Sequence, residues 1–118
     1  MHGAIDSAAL VRLLEQLDGD EECLAEVTAM YLGELPGRVA AVRDALEQGD
    51  PGAVERAAHS LKGTSGTFGA AGLAALCERV ERDARIGALR DARAVLGELE
   101  RERDRVAVEL AALCRDAA

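Results

Sequence analysis

The stretch PGAVERAAHSLKGTSGTFGAAGLAALCERVERDARIG, residues 51–87, reads as two helices with one break between them. Small or apolar residues recur at Val54, Ala57, Ala58, Leu61, Ser65 and Phe68, then at Leu73, Leu76, Cys77, Val80 and Ala84. That is the period of a helix and not the alternation of a strand. Pro51 suits a first helical turn, Gly69 marks a tight break, and Gly87 ends the second run. Helices are therefore expected from about Pro51 to Thr67 and from about Ala70 to Ile86.

The same period extends outward on both sides. Upstream, Leu24, Val27, Tyr31, Leu35, Val39, Val42 and Leu46 keep one phase across Pro36, which predicts one kinked helix and not two. QGDPG at 48–52 stops it, and Asp20 is placed to cap its start. Before the DGD break at 18–20, Asp6 can cap a short helix to about Leu17, with Leu10, Leu13, Leu14 and Leu17 on one face. Downstream, Leu89, Ala92, Leu96, Leu99, Val106, Leu110 and Leu113 form a last stripe. Arg103 falls on that stripe and is expected to snorkel to the bundle edge. Four long amphipathic helices with short connections predict an all-α fold, an antiparallel four-helix bundle with a short additional N-terminal helix, built as one domain over residues 1–118.

Composition narrows the partners. The 118 residues carry 22 acidic and 14 basic side chains, a formal charge of −8, which argues against nucleic acid or an anionic membrane as the main partner. No apolar run reaches the roughly 20 residues of a membrane span, and no signal peptide opens the chain. Cys23, Cys77 and Cys114 are odd in number and form no C-x-x-C, which reads as reduced cysteines in a cytoplasmic protein. Tyr31 and Phe68 are the only aromatic residues, so the core is one of Ala, Leu and Val. Met1 and the compact length read as a free-standing chain, and a bundle that uses up its own apolar stripes reads as a monomer. His2, at the tip of the chain, carries no weight in this reading.

That leaves His59. Projected at about 100° per residue, it points away from the face made by Val54, Ala58, Leu61 and Ser65, so it should meet solvent. Gly63 and Gly66 fall on the same outward face. A glycine in a helix costs about 1 kcal/mol relative to alanine. Glycine also permits close helix packing, but these two point away from the core; what they leave is a bare approach to the ring. Gly69 serves the break instead. Lys62, one turn after His59, is placed to put its ammonium beside a group attached to the imidazole, and for a phosphoryl group it would supply charge and hydrogen bonds.

Residues 58–81, AHSLKGTSGTFGAAGLAALCERVE, closely resemble the signature of histidine-containing phosphotransfer domains. His59, Leu61, Lys62, Gly63, Gly69, Ala70, Leu73 and Cys77 match it in type and spacing, and YLGELPGRVAAVRDALEQGD, residues 31–50, resembles the preceding helix of that family. The resemblance implies a phosphorelay intermediate. His59 would take a phosphoryl group on Nε2 from a receiver-domain aspartate or a histidine kinase pathway and pass it to another receiver. Such a chain is a phosphocarrier and not an enzyme: it needs no cofactor of its own, and the partner receiver supplies the acidic pocket and Mg²⁺.

Lys62 would contact the phosphoryl group. Glu81 stands where some members of the family have glutamine, and a carboxylate there could accept from Nδ1–H and leave Nε2 free. Arg85, one turn further, could offset the charge of Glu81; the plainer reading of Glu81 and Arg85 is a solvated ion pair. Gly63, Gly66 and Glu55 make the expected docking face for a response-regulator receiver domain or a hybrid histidine kinase. The alternative is a helical adaptor that binds receivers without phosphotransfer. A metal-binding bundle fails for want of a second histidine at helical spacing, and a cysteine enzyme for want of a base.

Overall fold

The computed structural model describes residues 3–117, so His2 lies outside it. Five helices follow in order: α1 (Ser7–Gln16), α2 (Glu21–Gln48), α3 (Pro51–Thr67), α4 (Ala71–Arg85) and α5 (Leu89–Ala117). Their starts are set by short acidic side chains. Asp6 accepts from the Ala8 amide, Asp20 from Cys23 and Asp50 from Ala53, each satisfying a backbone donor that the first turn leaves unpaired. Pro51 occupies the first turn of α3, where its missing N–H costs nothing. Stops at Gly49, Gly69 and Gly87 use positive φ.

Pro36 lies within α2, which runs unbroken through it as the phase of its stripe predicts. The ring is on the solvent side, and its missing N–H leaves the carbonyl of Leu32 without its i+4 donor.

Helices α2, α3, α4 and α5 pack in a ring, each against the next and α5 against α2, while α1 lies across α3 and α2. The expected all-α, antiparallel bundle is what the chain forms. Leu35, Val39, Val42 and Leu46 meet Val54, Ala58 and Leu61, then Leu73, Cys77 and Val80, then Leu99, Val106 and Leu110, all buried. Val95 joins this core although the sequence stripe omitted it, and Leu24, Leu76 and Leu96 are only half-buried. Arg103 is held at the edge, its guanidinium 3.0 Å from Asp104 and 4.0 Å from Glu100, as snorkelling requires.

The two aromatic rings hold one end of α3. Tyr31 and Phe68 stack with centroids 4.5 Å apart, and the Tyr31 hydroxyl hydrogen-bonds Ser65 Oγ at 2.9 Å inside the core. Burial pushes the Tyr31 phenol up, more than the Ser65 bond draws it down, so it stays a neutral partner. This pins α2 to α3 two turns from His59 and fixes the rotation of α3 about its axis.

Candidate functional site: an imidazole held by a buried carboxylate

With Val54, Ala58, Leu61 and Ser65 committed to the core, the opposite face of α3 has to carry His59, whose side chain is 69 % exposed. Gly63 and Gly66 lie one and two turns beyond it, and a Cβ built on either would meet no atom within 4 Å. Close packing against a neighbouring helix therefore does not explain them. They leave the face bare.

The ring is not free to turn. Nδ1 lies 2.5 Å from Oε2 of Glu81 on α4, and the Lys62 ammonium lies 2.7 Å from Oε1 of the same carboxylate. Glu81 sits one residue past Val80 and one turn past Cys77, on the flank of the inward stripe of α4 that faces α3; its side chain is only 4 % exposed. A carboxylate accepts and does not donate, so Nδ1 carries the proton. In the neutral ring the lone pair is then on Nε2, on the side away from Glu81. Burial by itself would push the Glu81 carboxyl up. The hydrogen bonds and charges of Lys62 and His59 more than offset it, and the group is held below its ordinary value.

Arg85 completes the cluster from the next turn of α4. Its Nε donates to Glu55 Oε1 at 3.1 Å, and its Nη2 stands 3.9 Å from Glu81 Oε1. The solvated Glu81–Arg85 pair is thus not what forms: Glu81 is buried, and the nearer partner of Arg85 is Glu55. Cys77, just below, is walled into the core, and burial with the adjacent Glu81 charge pushes its thiol up to about 12, which removes it as a nucleophile.

A lowered pKa has a consequence for stability. Glu81 contributes fully above the unfolded glutamate range, near about 4.3, and loses that contribution as pH falls through its lower native value. Glu81→Gln should therefore narrow the gap in urea-unfolding stability between neutral and acid solution. An unchanged gap would mean that the carboxylate is not held charged by its neighbours.

Among the described residues, the helical bundle displays an oriented imidazole on a bare face, with cations beside it. The Hpt domain family profile matches residues 26–114, and the chain belongs to that family. The crystal structure of histidine-containing phosphotransfer protein B (HptB) from Pseudomonas aeruginosa PAO1 superimposes with a TM-score of 0.87, at 28 % identity over 98 % of each chain. Comparison with curated protein sequences gave no match. The role of the protein is histidine phosphotransfer in a phosphorelay, as a carrier and not a catalyst. No helix among the described residues is long and apolar enough to cross a membrane.

The structure brings His59, Lys62, Glu81, Arg85 and Glu55 into one cluster, with Gly63 and Gly66 beside it. In the sequence, Glu55 reads only as part of a docking face. Its contact with Arg85, 30 residues away, has no local signal.

Proposed function

We propose that His59 Nε2 is the atom that carries the phosphoryl group. Its lone pair attacks the phosphorus of a receiver aspartyl phosphate, the acyl P–O bond breaks, and the aspartate leaves as a carboxylate while the N–P bond forms. The reverse step loads the next receiver. The observation that carries this reading is the His59 Nδ1–Glu81 bond, which fixes the tautomer and aims Nε2 outward. Lys62 contacts the phosphoryl group, Glu81 orients the ring, and Arg85 offsets charge. The reading assigns Mg²⁺ and the acidic pocket that holds it to the receiver.

The partners in this reading are receiver domains and a hybrid histidine kinase, docking over Gly63, Gly66 and the Glu55 side of α3. The whole chain acts as one domain, as a monomer in the cytoplasm. No observation favours an adaptor that binds without transfer. Incubation with a phosphorylated receiver and Mg²⁺ should place acid-labile, alkali-stable phosphate on the chain; none, or an acid-stable ester, would overturn the assignment.

The docking face makes a separate prediction. Gly66→Leu adds a Cβ that meets no atom within 4 Å, so circular dichroism should be unchanged and the stability equal or raised by up to about 1 kcal/mol. Transfer from the receiver should slow, because the side chain crowds the approach to His59. An unaltered transfer rate would remove Gly66 from the interface.

A further inference from the structure

The carboxylate of Glu81 has three donors around it, two engaged and one held off. Lys62 Nζ is on Oε1 at 2.7 Å, His59 Nδ1 is on Oε2, and Arg85 Nη2 waits 3.9 Å from Oε1 while its Nε is held 3.1 Å from Glu55. Lys62 is therefore already committed before any phosphoryl group arrives. Nε2, where that group would sit, is on the far side of the ring from Glu81. An ammonium that turns to serve it must loosen from Oε1 and leave a buried carboxylate short of a counter-charge, a costly arrangement.

We infer that Arg85 is the reserve counter-ion of Glu81: when the phosphoryl group draws Lys62 away, Arg85 releases Glu55 and closes on the vacated oxygen. The inference rests on the reading that His59 Nε2 is the phosphoacceptor. Arg85 and Glu81 are four residues apart on α4, so closure needs a change of rotamer and no movement of backbone. The guanidinium offers five donors in a fork, which lets Nη2 engage Glu81 as Nε lets go. Glu55 is the restraint. It lies one turn before His59 on α3, is half-exposed, and can be left to water at little cost. Before the exchange the pairs are Lys62–Glu81 and Arg85–Glu55; afterwards they are Lys62–phosphoryl and Arg85–Glu81, and no buried charge is left alone. Arg85 is thus a positioning residue that acts through Lys62.

The test is a cycle of Arg85→Met, Glu55→Gln and the double variant in the full chain. Transfer from a phosphorylated receiver is followed in single turnover over a range of receiver concentrations. Arg85→Met should slow the saturated rate by about tenfold, with the half-saturating concentration unchanged. Glu55→Gln should raise the saturated rate by about twofold, since the restraint is removed, and the double variant should match Arg85→Met. A normal saturated rate in Arg85→Met would overturn the exchange, as would a change confined to half-saturation. So would a Glu55→Gln effect on the saturated rate that survives without Arg85, because Glu55 would then act on transfer by a route other than restraining Arg85.

A second readout needs no receiver. With phosphoramidate as a small phosphoryl donor, the ¹⁵N shifts of Lys62 Nζ and Arg85 Nε should both move on phosphorylation. Movement of Lys62 alone would overturn the exchange while leaving the phosphoacceptor reading intact. If wild-type protein takes up no phosphate at His59, the phosphoacceptor reading itself falls, and the exchange with it.

Discussion

His59→Gln should reduce phosphate uptake from a phosphorylated receiver to background while leaving the bundle folded. The side chain is 69 % exposed and belongs to no part of the core, so its replacement has little packing to lose. Glutamine keeps a donor within reach of Glu81, which protects the carboxylate from being stranded. What it lacks is a basic nitrogen, and an amide cannot stand in as the nucleophile. Thermal unfolding should therefore differ little from wild type, and the acid-labile label should disappear. Label that persists on the variant would move the phosphoryl group to another side chain. Label that vanishes together with the helical signal would only report unfolding, which is why both measurements are made on the same sample.

Gly69→Ala should act in the opposite way, on stability first. Gly69 has φ +78, and a left-handed conformation costs a non-glycine residue about 1–2 kcal/mol. Space adds to the penalty. A Cβ at this position would clash with the carbonyl oxygen of Asp6 and stand 3.2 Å from Ala9 Cβ. The first is backbone and cannot swing aside, and the same Asp6 donates its amide to the Gly69 carbonyl at 2.7 Å. Asp6 is also the cap of α1, so relief of the clash pulls the start of that helix from the α3–α4 turn. A loss of about 3 kcal/mol in urea unfolding is expected, a large share of the 5–15 kcal/mol typical of a domain. A loss under about 1 kcal/mol would mean that the segment before α1 yields freely. Gly63→Ala is the control: it sits in open space inside a helix and should gain up to about 1 kcal/mol.

The contrast between these glycines shows what a sequence can and cannot disclose. Helix boundaries were legible because Asp6, Asp20, Asp50 and Pro51 act within one turn of themselves. The outward aim of His59 was legible too, since rotation about a single helix settles it once Ala58 and Leu61 are given to the core. Glu81 was not. In CERVERDAR it stands among arginines and reads as surface, and only the approach of α3 to α4 buries it. The available signal was its place beside Val80 and one turn after Cys77, at the margin of an inward stripe, together with the family position that hydrogen-bonds the ring. Glu55 and Arg85 pair across two helices, and no spacing rule links them. Thr28 is a further case: it is buried in α2 with no hydrogen-bond partner for its hydroxyl among the described residues, and nothing in its neighbourhood in sequence marks it out.

The bare ground around His59 sets a rule of traffic for the reading proposed here. One nitrogen and one clearing serve whatever brings the phosphoryl group and whatever removes it, so the two must take turns. Neither visitor is favoured by a doorway of its own. The direction of flow then follows from which receivers are loaded and how many of each are present. An excess of empty receiver becomes a brake on loading as well as a sink for the load.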